Sequence, residues 1–286
     1  MTSRSVHRAM IGFYIALFFA FLFGPLVVMG ITAFNTPTYP QVWPFEGFTL
    51  RWFAALLSDR TLMEGFRNSL LIGTFVVCLA VPLGLAAAIV MTQVHARARS
   101  LYYLVVVSPV LTPGVILGIS TVIFWSDVTR WTGAQGLYNG IFLATLGQST
   151  FISAYCMLIF MSRLQRFDRA QEEAALDLGA SRTQVFFHVL LPFVKPALLS
   201  AAVLAFLSSF ENYNTTTFAI LADKTLTTAL AGRVRQGTTP AISALAVLII
   251  GVTLAGALLY ELLRRREQAR DEARALAAAA AERAGT

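Results

Sequence analysis

The sequence has few charged residues and little that could cross-link a fold or hold a metal. Only 13% of its 286 residues are charged and 57% are hydrophobic, whereas soluble globular proteins carry about 25% charged residues. Its two cysteines, Cys78 and Cys156, each lie within an apolar stretch and form no CxxC pair, and its three histidines are isolated. These shortages exclude a soluble fold, a disulfide scaffold and a metal site of paired ligands.

Long uncharged intervals are what the sequence does contain. No charged residue occurs between Arg8 and Glu46, and about 20 apolar residues are enough to cross a bilayer as a helix. Such intervals recur and predict an all-α, polytopic membrane protein with six spans. The spans cover about residues 9–34, 68–94, 101–125, 139–162, 197–222 and 241–263. The first is too long for the apolar region of a cleaved signal peptide and is predicted to be a retained anchor.

The basic residues between the spans predict the orientation. Of the 22 lysines and arginines, 15 fall on the side of the two termini and 7 on the other side. Basic segments stay in the cytoplasm, so both termini are predicted to be cytoplasmic and the protein to lie in the plasma (inner) membrane. The single transmembrane domain would cover residues 1–263, followed by a charged, alanine-rich tail at 264–286. Arginines that cluster between apolar segments contact a lipid bilayer and do not indicate nucleic-acid binding.

The cytoplasmic linker at residues 163–196 carries local signals for two short helices and a tight corner. Asp168 can cap the first helix, and Gly179 can adopt the left-handed conformation that ends it. Ser181 begins an S-x-x-Q capping box for the second helix. Pro192 is expected to end that helix because proline has no backbone N–H to donate.

A hairpin of this kind is longer than two antiparallel spans need for their connection, so it is predicted to contact a cytoplasmic partner. One face carries small or apolar side chains and is bordered by carboxylates. The face comprises Ala174, Ala175 and Leu178, and the border comprises Glu172, Glu173 and Asp177. Alanines allow close approach of another backbone, and the carboxylates offer charge pairing. The alternative is a hairpin lying on lipid headgroups, where an anionic leaflet would repel the carboxylates.

The same linker resembles the EAA motif of the permeases of binding-protein-dependent ABC importers. The residues that match are Glu173, Ala174, Ala175, Gly179, Val189, Leu191 and Pro192. Val189 departs mildly from the isoleucine that the family favours. The match covers about 20 positions and falls in the linker before the last two predicted spans, where the family has its motif.

The resemblance implies a coupling helix that docks on a cytoplasmic ABC ATPase dimer and transmits its nucleotide-driven closure to the spans. It also implies a second permease subunit, which would be a related chain, and an external solute-binding protein. Residues such as Asn68, Pro109 and Phe210 make the chain look most like spermidine/putrescine-type permeases. Subfamilies that import iron, thiamine or phosphonates share much of this framework, so their cargoes remain alternatives.

The sequence has no phosphate-binding loop of the form G-x-x-x-x-G-K-[ST], and neither Lys195 nor Lys224 follows one. The chain is therefore predicted to be a transport subunit and not an enzyme. It is predicted to bind no cofactor of its own, with ATP and Mg on the partner ATPase, and to hold no metal.

Glu211 is the one ionisable residue deep within a predicted span, where a charge costs about 3 kcal/mol or more unless it is paired or hydrated. The surrounding stretch, residues 208–217, is rich in serine, asparagine and threonine. On an unbroken helix Glu211, Asn214 and Thr215 share one face, while Tyr213 points elsewhere. All four can line one cavity only if the helix is distorted. They are predicted to line the path of a small polar or cationic solute.

Two further interpretations of Glu211 stay open. It can be a protonated or hydrogen-bonded structural residue between helices, or a proton or cation site in a gradient-driven secondary carrier or channel. The carrier interpretation leaves the capped hairpin without a role. An intramembrane enzyme would need a nucleophile with a base, and the sequence shows no such pairing.

Overall fold

The computed structural model describes residues 3–256 together with residues 258, 261, 262 and 265. Within these residues the regular elements are helices, as predicted. In chain order they are α1 (Ser3–Phe34), α2 (Arg51–Ser58), α3 (Arg60–Gln93), α4 (Ala96–Leu111), α5 (Gly114–Thr132), α6 (Gly140–Leu164), α7 (Ala170–Asp177), α8 (Arg182–Val185), α9 (Leu191–Phe210), α10 (Thr216–Ala219), α11 (Leu226–Gln236) and α12 (Pro240–Gly256). The predicted tail, residues 264–286, lies outside the described residues except for Arg265.

Four of these helical segments are long and apolar enough to cross a membrane. They are Met10–Phe34, Arg60–Gln93, Gly140–Leu164 and Arg182–Phe210. The pair α4 and α5, bent by 100°, makes a fifth candidate, and α12 is a shorter apolar helix. The described residues thus hold four or five candidate spans where the sequence predicts six. The sixth predicted span, 241–263, extends past the continuously described part of the chain.

The third predicted span, 101–125, is broken in the structure. α4 ends at Leu111 and α5 begins at Gly114, with Thr112 extended at ψ 131°. The break follows from Pro113, which has no N–H to donate and which disfavours helical geometry at the residue before it.

The chain divides into two compact units, residues 1–59 with 236–286 and residues 60–235. In the first unit, Thr32 of α1 donates a hydrogen bond to Ser243 of α12 at 2.9 Å. The turn after α1 is organised by the buried amide of Asn35, which donates to the carbonyl oxygens of Gln41 and Pro44. A side chain that satisfies several backbone groups holds such a turn in one conformation.

The second unit is built on α3, α6 and α9, which pack closely because their contacts are made by small side chains. A Cβ at Gly84 of α3 would lie 2.7 Å from the carbonyl oxygen of Ser153 on α6. The fully buried residues of this core include Val76, Ala80, Ile152, Cys156, Phe160, Ala201 and Ala205. Packing through glycine and alanine is how helices associate where lipid removes the hydrophobic driving force.

The fifth span begins earlier than predicted. A single helical segment runs from Arg182 to Phe210, and the expectation that Pro192 ends a separate helix is wrong. A π-helical turn at Phe186–Leu190 precedes the proline, with the Leu191 N–H donating to the Phe186 carbonyl oxygen. The wider turn accommodates a residue that cannot donate a hydrogen bond. The linker between the fourth and fifth spans, predicted at 163–196, is therefore shorter in the structure, because the fifth span already begins at Arg182.

The same span also ends earlier than predicted. α9 stops at Phe210, and the chain turns through residues 211–215 before the short α10. The predicted span 197–222 therefore contains a break at its polar stretch. Irregular backbone is tolerated at membrane depth only where it is buried in protein or lines a water-filled cavity.

Candidate coupling hairpin and Glu211 cleft

The hairpin formed by α7 and α8 has the local structure that its sequence indicates. Gly179 adopts φ +85°, and the N–H of Ala180 donates to the carbonyl oxygen of Ala175, which is the bonding of a glycine-terminated helix end. The Ser181 capping box is complete, with both reciprocal bonds to Gln184 present. Asp168 accepts a hydrogen bond from the N–H of Ala170 at 3.0 Å. The predicted caps at Gly179 and Ser181 are thus confirmed. The N-cap position of α7 is Arg169, which makes no side-chain cap bond, so Asp168 bonds to the first helical N–H from one residue outside that position.

Two arginines near the hairpin bond to neighbouring helices, Arg169 at the start of α7 and Arg163 in the last turn of α6. Arg169 donates to the carbonyl oxygen of Thr92 in the last turn of α3, at 2.9 Å. Arg163 donates to the carbonyl oxygen of Phe193 at 3.1 Å, and its guanidinium lies 4.2 Å from the Phe193 ring centroid. The ring of Phe167 packs on the same phenylalanine, 5.0 Å between centroids. The hairpin is thus bonded to α3 through Arg169, whereas the Arg163 contact joins α6 to α9.

The outer surface of the hairpin is uncovered. Leu178 is 89% exposed, an unusual state for a leucine on an ordered helix corner. Of the residues predicted to couple to an ATPase, Glu172, Glu173, Ala174, Asp177, Gly179 and Pro192 are exposed, and Ala175, Val189 and Leu191 are half-buried. A shallow cleft of about 410 Å³ crosses this surface, lined by residues that include Ala175, Leu178 and His188. This surface thus presents Leu178 beside the exposed carboxylates of Glu172, Glu173 and Asp177.

The break after α9 brings most of the predicted path residues together. Glu211 forms the end of α9, its N–H donating to the Leu207 carbonyl oxygen at 3.0 Å. Because the helix does not continue, Tyr213 lies beside Glu211 and Asn214 in one cleft of about 390 Å³. We call it the Glu211 cleft. It is lined by Phe151, Tyr155, Leu204, Ser208, Glu211, Asn212, Tyr213 and Asn214. The helix is thus distorted at this point, as it must be for Glu211, Tyr213 and Asn214 to line one cavity.

Thr215 is the exception among the predicted path residues. It is fully buried and packs against glycines of α5 and α6, since a Cβ on Gly118 would lie 2.5 Å from its carbonyl oxygen and one on Gly147 would lie 3.2 Å from its Cγ2. It does not line the cleft. Thr215 thus packs the break against α5 and α6 and does not face the cleft.

The cleft contains residues that sequence reasoning did not select. Phe151 and Tyr155 come from α6, three and seven residues after Gln148, and so share a helix face with it. Asn212 belongs to the polar stretch but was not distinguished from its neighbours by spacing. Aromatic residues in an apolar helix carry no local sequence signal for a binding site. Only the fold shows which of them lie beside the break after α9.

The carboxylate in the cleft is not engaged by other side chains of the described residues. Glu211 is exposed, and no hydrogen bond or ion pair to its carboxylate is found within residues 3–256. At the rim, Arg235 of α11 donates to the hydroxyl of Tyr213 at 3.1 Å. The described residues hold no cluster of three potential metal ligands. A carboxylate with amide and aromatic neighbours can bind an ammonium group through charge, hydrogen bonds and ring faces.

Residues 80–268 match the family model described as binding-protein-dependent transport system inner membrane component. The chain belongs to this family. The permease is 33% identical over 258 residues to the putrescine transport system permease protein PotI of Escherichia coli (strain K12), with 88% of this chain and 90% of that protein covered. It is 27% identical over 249 residues to the spermidine/putrescine transport system permease protein PotC of Haemophilus influenzae, with 87% and 93% covered.

Solved structures show the same fold. A bacterial ABC transporter involved in import of the acidic polysaccharide alginate matches the permease with a TM-score of 0.60 at 15% identity, covering 93% of this chain and 98% of that chain. The alginate transporter in complex with its alginate pentasaccharide-bound periplasmic protein gives 0.65 at 17% identity, covering 89% and 92%. Identities this low concern the fold alone.

These findings confirm the family that the EAA-like residues predicted. The protein is a multi-pass, inner-membrane permease component of an ABC importer, and its relatives are transport subunits. The roles predicted for individual hairpin and cleft residues stay predictions.

Proposed function

We propose that this permease moves a polyamine, with putrescine as the first candidate, into the cytoplasm, powered by separate ATPase subunits that grip the hairpin. The observation that carries the proposal is the Glu211 cleft, where an exposed carboxylate lies beside amides and aromatic rings at a break between membrane helices. The names of the relatives PotI and PotC, which refer to putrescine and spermidine transport, agree with that chemistry.

The cleft suits a diamine for a physical reason. Each end of such a molecule is a compact cation, which must give up hydration to enter the permease. A carboxylate replaces part of that hydration through a charge-assisted hydrogen bond, and an aromatic face adds about 0.5–2 kcal/mol per contact. Phe151, Tyr155 and Tyr213 supply rings around Glu211. An anionic solute would be repelled by the same group.

The hairpin supports an external energy source. Its exposed Leu178 and acidic border have no partner within the described residues. Arg169 bonds the hairpin to α3, and α8 continues into α9 as one helical segment. ATP-driven closure of an ATPase dimer on this surface would move both helices together. The hairpin and the termini would then be cytoplasmic, in agreement with the basic residues. A second permease chain and an external solute-binding protein would complete the importer.

Uptake by the assembled importer tests the energy source. We expect reconstituted proteoliposomes to accumulate labelled putrescine only when ATP is supplied on the hairpin side. Ala175→Trp should block ATPase docking and abolish uptake, because the bulky ring fills the small-residue face. Ala98→Trp, at an exposed alanine of α4, is the matched control and should transport normally. Uptake driven by an ion gradient without ATP would favour the secondary carrier.

Kinetics of the same system test the cleft. Glu211→Gln keeps the size and removes the charge, so KM for putrescine should rise about tenfold or more, as expected when a hydrogen bond to a charged group is lost. Assembly with the ATPase should persist. Asp127→Asn, which removes an exposed carboxylate paired with Arg130, should leave KM unchanged. An unaltered KM for Glu211→Gln would remove this carboxylate from solute binding.

A further inference from the structure

A continuous chain of buried side-chain hydrogen bonds surrounds the break after α9. Ser209 donates to the amide oxygen of Gln148 at 2.5 Å, and the Gln148 amide nitrogen donates to the hydroxyl oxygen of Thr216 at 2.7 Å. Thr216 in turn donates to the side-chain oxygen of Asn212 at 2.9 Å. Gln148 and Thr216 therefore each donate and accept within the chain, while Ser209 donates and Asn212 accepts at its two ends. The chain starts at Ser209 before the break, crosses through Gln148 of α6 to Thr216 after the break, and ends at Asn212 within it.

Gln148 is the residue of this chain that comes from another helix. It is fully buried, and it lies eight residues along α6 from Gly140, or about 12 Å at the helical rise. Its one amide contacts the last turn of α9 through Ser209 and the first residue of α10 through Thr216. It therefore fixes the distance between the two helix ends that the break separates.

In a membrane protein, the broken conformation that these hydrogen bonds hold competes with a continuous helix through the same residues. A continuous helix satisfies all its own backbone groups, which is why helices are favoured in a hydrocarbon environment. Asn212 supports the break by accepting from the Thr216 N–H at 3.1 Å, and its carbonyl oxygen accepts from Thr227 at 2.9 Å. Without Gln148, the two ends lose their common anchor and the segment between them can shift or rewind.

We propose that Gln148 is a positioning residue of the solute path, which holds the break in the conformation that turns Glu211, Asn212 and Asn214 into the Glu211 cleft. Phe151 and Tyr155, on the same face of α6, reach that cleft directly. One face of α6 thus both holds the break and completes the wall opposite it. The inference rests on the proposed role of the cleft in solute passage.

The test uses the assembled importer in proteoliposomes with labelled putrescine. Gln148→Met keeps the length of the side chain and removes both hydrogen bonds. We expect KM to rise about tenfold, as for two lost hydrogen bonds to a buried amide, with the maximal ATPase rate within twofold of wild type. Ser149→Ala is the matched control, because Ser149 is the next residue, is buried, and its hydroxyl has no partner within the described residues. It should leave KM unchanged.

A double-mutant cycle separates positioning from general destabilisation. Thr216→Val also breaks the chain, so Gln148→Met combined with it should raise KM no further than the larger single change, since the two residues act through one network. Additive effects, or an unchanged KM for Gln148→Met in an assembled complex, would overturn the inference. If Gln148→Met does not assemble, Ser209→Ala removes one bond and must raise KM, or the inference fails. Glu211→Gln distinguishes this inference from the proposed function. A normal KM in that variant would show that the Glu211 cleft does not bind the solute, whatever the effect of Gln148→Met.

Discussion

The hairpin and the break after α9 are both polar interruptions among apolar helices, and they are built in opposite ways. The turns of the hairpin are held by bonds between near neighbours, as between Ser181 and Gln184, and its surface is exposed. The break is held by Gln148, which is 61 residues from Ser209 and 68 from Thr216, and its network is buried. Local structure thus specifies the part proposed to meet a partner, and tertiary structure specifies the part proposed to meet the solute.

The largest expected effect falls on the packing of the break. Gly118→Ala would place a Cβ 2.5 Å from the Thr215 carbonyl oxygen, and overpacking of this kind costs about 3 kcal/mol. We expect a clear fall in the thermal unfolding temperature of the purified permease. Gly232→Ala, where a Cβ would meet nothing within 4 Å, is the control. Equal stability of the two variants would show that α5 does not pack on Thr215 as described.

Gly179→Ala should have a smaller effect, confined to the hairpin. The left-handed φ of +85° costs about 1–2 kcal/mol for a residue with a Cβ. Hydrogen exchange should therefore accelerate over residues 174–181 while the core of α6 stays protected. Gly179→Asn should lie closer to wild type, because asparagine tolerates this conformation. Accelerated exchange throughout α6 would contradict a hairpin that is held locally.

Ser181→Ala removes the hydroxyl that accepts from the Gln184 N–H, which is one of the two bonds of the capping box, and should cost about 1 kcal/mol. The amides of residues 182–184 should exchange faster because their first-turn donor loses its acceptor. Thr183→Ala is the control, because Thr183 lies two residues further along the chain and its side chain takes no part in the capping box. If the control accelerates exchange as much as Ser181→Ala, the box does not stabilise α8.

The smallest effect is expected at the base of the hairpin. Arg169→Gln removes a cation from the end of α3, where it bonds to the Thr92 carbonyl oxygen, and such an interaction contributes about 0.3–1 kcal/mol. Thermal stability should change little, whereas ATP hydrolysis should be less tightly coupled to uptake. Arg169→Lys should retain most of the coupling, since it keeps the charge. Full coupling in Arg169→Gln would show that this contact transmits no movement.

The all-α fold, the order of the apolar segments and the hairpin caps could be predicted because each depends on a local pattern. Gly179 and Ser181 act within a few residues of themselves, so their roles are visible in the sequence. The boundaries of α9 could not be predicted, since the π turn before Pro192 and the end at Phe210 depend on the surrounding helices. Gln148 was inconspicuous among Ser149 and other polar residues of its helix, and only its distant partners distinguish it.

The most direct test of the account asks whether putrescine occupies the Glu211 cleft. In an importer with Cys78→Ser and Cys156→Ala, a cysteine introduced as Asn214→Cys can be labelled by a positively charged thiol reagent. We expect putrescine to slow this labelling, and complete labelling to stop ATP-driven uptake. Labelling that is indifferent to putrescine and leaves uptake at its full rate would contradict the claim that the solute passes this break.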